Sequence, residues 1–264
     1  MDKKIGLFWL RDDFRIIKND GLIEATKNHD QVVVFFLNKP DTYKHQEAQK
    51  WWLSKSLSNF RKKLNSLNIN LEIVNTNSFK LFFDNLLEKK NFNIYRNKVY
   101  EPDYLQFDEY LSSNLNKKNI SFKRFKGNAL NEINEIKKGD GTPFKVFTPF
   151  WRTAEKFYIE KIPSREKMIK KCKKKITYFK NCVEPEQIFP KKKWFKNFEK
   201  LWSPDEESAS KELKNFIKDR VINYSEARNF PSRIGTSKLS PFIKFGQIHV
   251  ETIWKECEKK KTKK

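Results

Sequence analysis

Short unbroken apolar runs alternating with longer amphipathic stretches predict an α/β fold over residues 1–130. The expected core is a parallel five-stranded sheet with helices on both faces, followed by an irregular linker and then helices. Three observations carry this. Ile5 to Leu10 and Val32 to Leu37 are continuously apolar, as strands buried on both faces must be. The stretches between such runs repeat apolar residues at helical spacing. The prolines that punctuate structure cluster after residue 130, eight of the 10, rather than within these units.

Taken in order, Ile5 to Leu10 is the first strand, and Asn19 to Asn28 is a helix through Leu22, Ile23 and Ala25. Val32 to Leu37 is the second strand. Residues 46 to 67 place Trp51, Trp52, Leu53, Leu57, Phe60, Leu64 and Leu67 on a helix of about six turns. Leu71 to Val74 is a third strand, and Ser78 to Lys89 a third helix whose serine is a natural N-cap. Ile94 to Tyr100 is a fourth strand, residues 106 to 118 a helix, and Ser121 to Phe125 the fifth strand. From 131 to 200 prolines interrupt the pattern, at 143, 149, 163, 185 and 190, and the segment reads as an inter-domain connection carrying one helix, Pro149 to Ile162. After Pro204 the acids of Asp205-Glu206-Glu207 open a helix to about Ile222, and a second helix spans Ser240 to Glu258.

Composition bounds the function. The chain has 264 residues, with 56 Lys and Arg against 33 Asp and Glu, a formal charge of +23. Aromatic residues make up 15%, which argues for a folded core. No apolar run approaches the roughly 18 to 20 residues that span a bilayer, so no membrane partner is expected. Cys172, Cys182 and Cys257 are widely spaced, which suits a reducing cytoplasm rather than a disulfide framework. His29, His45 and His249 are equally scattered, and no zinc-ligand spacing exists. The charge is uneven: residues 161–200 hold 14 Lys and Arg against 4 Glu, ten of the +23. Lys170-Lys171-Cys172-Lys173-Lys174-Lys175 is either a solvated face or an electrostatic footprint for a polyanion.

An α/β sheet invites a nucleotide, but the 7 glycines assemble neither G-x-G-x-x-G nor G-x-x-x-x-G-K-[ST]. The informative string lies later. Tyr224-Ser225-Glu226-Ala227-Arg228-Asn229-Phe230-Pro231 is followed by Gly235-Thr236-Ser237-Lys238-Leu239-Ser240 and Gly246. Thr236, Ser237 and Ser240 put hydroxyls and backbone N–H groups ahead of a helix. That arrangement either receives a phosphate or forms an ordinary N-cap with a Ser/Thr turn.

This string resembles the flavin-binding entry of the DNA photolyase and cryptochrome family. Two further stretches agree in order: Phe8-Trp9-Leu10-Arg11-Asp12-Asp13-Phe14-Arg15 with Asn19 and Leu22 is similar to the family's opening, and Lys145-Val146-Phe147-Thr148-Pro149-Phe150 to a later segment. The resemblance implies light-driven repair of pyrimidine dimers by electron transfer from reduced FAD, chemistry that belongs to the cofactor and needs no catalytic acid or base. Damaged DNA is the implied partner, with the lesion flipped out of the duplex. Tyr224 would contact FAD, and Thr236, Ser237, Lys238, Leu239 and Ser240 would wrap its phosphates with hydroxyl and backbone donors. Arg228 would meet DNA phosphate or pair with Glu226 or a neighbouring acid. Arg11 and Asp13 would hold the sheet edge and domain interface.

The resemblance also implies the organisation. Residues 1–130 would be a Rossmann-like antenna domain, 131–200 a linker, and 201–264 the start of a partial all-α FAD-binding domain whose remaining half would be a partner. The antenna domain would hold a folate or a deazaflavin, although Asp103 and Tyr104 depart from the family's folate-binding pair. A cryptochrome-like photoreceptor fragment and a non-enzymatic basic nucleotide- or nucleic-acid-binding protein are the two alternatives.

Overall fold

Strand β1 (Ile5–Leu10) sits at the centre of the sheet, and its neighbours follow from its burial. In the computed structural model it pairs in parallel with β2 (Val32–Asn38) on one side and β4 (Phe92–Asn97) on the other. The structure describes residues 4–40, 46–89, 91–132, 134–161, 168–190 and 194–261, so His45, Ile162, Pro163 and part of the basic 161–200 segment lie outside the described residues. Beyond β2 comes β3 (Asn70–Asn75) and beyond β4 comes β5 (Phe122–Phe125), all parallel.

Alternate residues of the central strands feed two separate cores. Phe8, Leu10, Val32, Val34 and Phe36 face one, while Leu7, Trp9, Val33, Phe35 and Leu37 face the other. Helices α1 (Asp20–Asn28) and α2 (Glu47–Ser66) supply the first core, and α3 (Phe79–Leu87) and α4 (Pro102–Lys117) the second. The caps are those the sequence offers: Asn19 accepts from Leu22 N and Ser78 from Leu81 N. α4 begins four residues earlier than its apolar spacing indicates, because Pro102 fits the first turn. β4 accordingly ends at Asn97 instead of reaching Tyr100.

The sheet has six strands, not five, and the sixth comes from the linker. β6 (Cys182–Val183) pairs antiparallel with the exposed edge of β3. Buried Glu72 on β3 fixes that passage by accepting the N–H groups of Tyr178 and Phe179 at 2.9 and 2.6 Å. Phe179 then stacks into the second core, 5.2 Å from the Phe35 ring. An unpaired edge strand is a site for unwanted pairing, and the segment read as an irregular connection closes it. The same segment also carries α5 (Phe147–Lys161), a 3-10 turn (Pro185–Ile188) and α6 (Lys196–Leu201).

The carboxy-terminal helices share the first core. α7 (Glu206–Asn215) passes into a π-helical turn, Phe216–Arg220, so the helix expected to reach Ile222 loses its regular hydrogen-bond ladder at Phe216. Short α8 (Tyr224–Ala227) follows. The helix expected over Ser240 to Glu258 is two helices, α9 (Ser240–Lys244) and α10 (Val250–Lys261). The break is at Gly246, which has φ +60° and lies so close to the β1 loop that an added Cβ would sit 1.9 Å from the Asp12 carbonyl oxygen.

Around that turn the aromatic face of α2 grips α9. Trp52 packs 5.0 Å from Phe242 and 5.5 Å from Trp202, and its Nε1 donates to Gln247 Oε1 at 3.0 Å. Gln247 in turn donates to Ser56 Oγ at 3.0 Å. His249 caps α10, its Nδ1 accepting the Glu251 N–H at 3.1 Å. Burial, with Arg15 alongside, depresses the His249 imidazole to about 3. Burial pushes the Glu251 carboxyl up, but the Lys126 ammonium, His249 and Lys18 outweigh it and hold the group below the usual carboxylate range.

Gly246→Ala combines a left-handed backbone with backbone overlap, and its expected cost is about 3 kcal/mol, read as a lower urea midpoint. Acid supplies a second test. His249 stays neutral when folded but takes up a proton once unfolded, so its contribution is full above about pH 6.5 and is lost as the pH falls toward 3. Glu251 adds a loss over the carboxylate range. The urea midpoint should therefore fall steadily below pH 6.5. His249→Asn keeps a capping acceptor without the titration and should flatten the upper part of that fall, leaving the smaller slope from His29, which burial also depresses.

Candidate functional site

The residues singled out between 224 and 240 come together because Gly235 has no side chain. A Cβ there would lie 2.6 Å from the carbonyl carbon and the Cβ of Ala227, so the loop after α8 folds back directly onto α8. That contact sets the segment that leads into Thr236–Ser240 against the short turn that carries Tyr224. Arg220, at the end of the π turn, fastens the other side: its guanidinium donates to the Thr236 carbonyl at 3.1 Å and to Glu212 Oε2 at 3.2 Å. Gly235 belongs to the informative string but its contact with Ala227 leaves no signature there, and Arg220 does not stand out in the sequence, since a π turn has no periodic pattern.

Within this cluster the roles divide by direction. Leu239 is buried in the first core with Phe242, so its side chain faces away from the loop surface. Its N–H is already donated to Ser237 Oγ at 3.4 Å, so it is not a free phosphate donor as expected. Lys238 takes φ +55° to put Leu239 inward, which leaves its own ammonium outside. Thr236 and Ser240 are exposed, and Ser240 opens α9. Tyr224 is 37% exposed, with its ring edge-on to Phe216 at 5.5 Å.

Arg228 does not pair with Glu226. Its guanidinium lies 5.5 Å over the Tyr224 ring, and Glu226 pairs with Arg233 at 3.4 Å. α8 is a single turn, and Glu226 and Arg228, two positions apart, point to different sides of it. Lys238 also lines a cavity of about 320 Å³ with Lys200, Lys211, Ser203 and Ser208. The two carboxylates of that cavity are engaged elsewhere, Glu212 by Arg220 and Glu199 by Lys55 at 2.8 Å. The donor set around Lys238 is thus hydroxyl and ammonium, which suits an anion.

A second crevice lies at the carboxyl ends of β1 and β4, where the strand order reverses and open α/β sheets place ligands. Arg11, Asp13, Asn97, Tyr100, Ile243 and Lys244 line it. Its volume, about 220 Å³, falls below the roughly 300 Å³ at which cofactor pockets begin. The chain's own side chains take up the neighbouring space. Arg11 lies 4.0 Å over the Tyr104 ring and 5.1 Å over Phe79, and buried Arg96 lies 4.5 Å over Trp9 while pairing with Asp108 at 2.6 Å. Asp13, also buried, accepts from Asn97 Nδ2 at 2.5 Å.

Sequence and structural comparison identify what this arrangement is similar to. Residues 6–171 match the family model described as DNA photolyase. The chain is 27% identical over 252 residues to a deoxyribodipyrimidine photo-lyase of Agrobacterium fabrum, covering 94% of this chain and 52% of that protein. It is 25% identical to an uncharacterized 31.6 kDa protein in the atpI 5' region of Synechococcus, covering 98% of this chain and 90% of that one. The crystal structure of a bacterial class III photolyase from Agrobacterium tumefaciens superposes with a TM-score of 0.83 at 25% identity, over 97% of this chain and 53% of that one. The chain therefore spans about half the length of the photo-lyases it matches.

Because Gly235 seats the loop on α8, Gly235→Ala should force the two apart. The expected destabilisation is about 1–3 kcal/mol, with increased solvent access at Tyr224 read by tyrosine quenching.

Proposed function

This chain belongs to the DNA photolyase family, and from that premise we propose that it is the amino-terminal part of a light-driven pyrimidine-dimer lyase. In this reading residues 1–130 form the antenna domain, 131–200 the connection, and 201–264 the first wall of an FAD site. The observation that carries it is the loop Thr236 to Ser240 seated against α8, with outward hydroxyls, an outward Lys238 ammonium and a half-exposed Tyr224 ring beside it. Those donors fit a cofactor that has phosphates at one point and an aromatic ring near by.

Thr236, Ser237, Lys238 and Ser240 would hold the phosphates, Leu239 would anchor the loop from the core, and Tyr224 would flank the cofactor. When bound, reduced FAD supplies the excited electron that opens the dimer. The chain's own task is to position and enclose. Arg228 stays on the surface, free to meet a DNA phosphate once it leaves the Tyr224 ring. Ile222, Phe230 and Ile234 are exposed around the same loop, at 59%, 44% and 71%. Such an apolar rim is suited to a covering surface, and we assign it to the remaining half of the FAD domain.

The test is nucleotide selectivity of the 264-residue chain. FAD and ADP should compete for one weak site, riboflavin, which lacks phosphate, should not, and Lys238→Ala should weaken FAD at least about fivefold, a loss of roughly 1 kcal/mol typical of one hydrogen bond. Equal binding of riboflavin and FAD, or indifference to Lys238→Ala, would remove the loop from the site. Light-driven dimer repair is expected only when the remaining helical half is supplied, and flavin binding in that assembly with no repair would favour the cryptochrome-like photoreceptor.

A further inference from the structure

The basic run at residues 170–175 is not a free tail. Its backbone is tied along the rim formed by the amino ends of the strands: Cys172 N donates to the Leu67 carbonyl at 2.9 Å, Lys173 N to the Asp30 carbonyl at 3.0 Å, and Lys170 N to Thr26 Oγ1 at 3.2 Å. Asn68 Nδ2 donates back to the Cys172 carbonyl at 3.0 Å. The Cys172 side chain is buried in the first core, so the lysines on either side of it stand out into solvent. With Lys4 and Lys27, the residues Lys170, Lys171 and Lys173 line a concave cleft of about 540 Å³. One carboxylate lines it, that of Asp30, which lies 3.0 Å from the Lys173 ammonium.

Five lysines carried on a fixed backbone meet a polyanion without the cost of ordering the chain that bears them, leaving only the side-chain freedom to be lost. What surrounds them narrows the partner. Among the described residues the one ring in the lining is the His29 imidazole, engaged by the Lys4 carbonyl at 2.7 Å and Tyr95 OH at 2.9 Å, so these residues offer no platform for stacking bases. The lining also has no large apolar side chain to enter a lipid surface. Phosphates are what remain to be recognised. We propose that this cleft binds the phosphate backbone of duplex DNA, without regard to sequence or damage. It lies away from the turn that follows α9: Trp52, which holds Gln247, and Leu67, which holds Cys172, are about 22 Å apart along α2. The cleft thus provides a flavin-independent hold on undamaged DNA.

The probe is an undamaged fluorescent duplex titrated with the 264-residue chain from about 50 to 200 mM salt. Replacing three phosphate contacts by K170Q/K171Q/K173Q should lower the log–log salt slope by about 2 to 3 and weaken binding at least about tenfold at the lower salt. The same charge removed elsewhere, by K117Q/K137Q/K145Q, should change affinity less than about twofold, since dispersed surface charge is screened. Equal losses from the two triples, or no loss from the first, would overturn the proposal. Amine-reactive labelling of the unaltered chain decides independently of how the variants fold: duplex should shield Lys170, Lys171 and Lys173, and undiminished labelling would overturn the assignment. Binding of these lysines to anionic-lipid vesicles but not to duplex would equally overturn it.

Discussion

The arrangement of this molecule depends on one buried cation, Arg15. Its guanidinium is 1% exposed, and its three nitrogens donate to two backbone carbonyls, Nη1 to Gly246 at 3.0 Å and Nε and Nη2 to Lys18 at 3.3 and 3.1 Å. Burial alone pulls its pKa down, opposed by Asp13, Glu206, Asp20 and Glu251. A desolvated charge is tolerated only when hydrogen-bonded and balanced, so the loop from Arg11 to Asn19 must hold one shape. Asn19 and Asn97 complete it: Asn19 Nδ2 donates to the Arg15 carbonyl at 2.9 Å, and Asn97 bridges Asn19, Asp13 and the Gly21 N–H. Strand β1, strand β4 and helix α1 are thereby locked to the turn at Gly246.

That lock places the carboxy-terminal helices. Phe14 N donates to the Phe245 carbonyl at 3.2 Å, and Glu206 accepts the N–H groups of Ile16 and Ile17 at 3.1 and 3.0 Å. Glu206 is buried and also pairs with Lys63 on α2, so α7 is held by the loop and by α2 together. Between these clamps Leu239 and Phe242 enter the first core. The outward turn of Lys238 is a consequence of that inward turn of Leu239. The candidate phosphate loop therefore owes its exposure to core packing rather than to any local preference for a loop.

These dependencies explain which parts of the chain could be read in advance. β1 and β2 are legible because both faces are buried and every residue shows it. α2 is legible because Trp51, Trp52, Leu57, Phe60 and Leu64 repeat at helical spacing. β6 is not: two residues, Cys182 and Val183, carry no period, and their pairing is dictated by the open edge of β3 and by Glu72. The break at Gly246 hides because Phe242, Phe245, Ile248 and Ile253 continue an apolar pattern across it, and only the contact with Asp12 reveals the need for glycine there. The Arg228 to Glu226 pair fails because a one-turn helix puts those side chains apart. Residues 236–240 were visible as a group through resemblance, while the inward course of Leu239 needed the core to be known.

The two ends of a parallel sheet are chemically unlike, and this molecule treats them differently. At the carboxyl ends, where a ligand crevice would open, the loop carrying Arg15 and the turn at Gly246 close over the strands, and Arg11, Arg96, Tyr104 and Trp9 occupy the neighbouring space. At the amino ends the linker lays Lys170 to Lys173 across the rim with Cys172 as its anchor. The linker therefore does two jobs that its proline-broken sequence conceals: it seals the β3 edge, and it fixes cations that would otherwise be dispersed. Of the excess charge in residues 161–200, Lys170, Lys171 and Lys173 are held at this rim, and fixing them there gives the field a direction. The cations are thus gathered at the amino ends of the strands, while the candidate phosphate loop leads through α9 into the turn at Gly246 that closes the carboxyl ends.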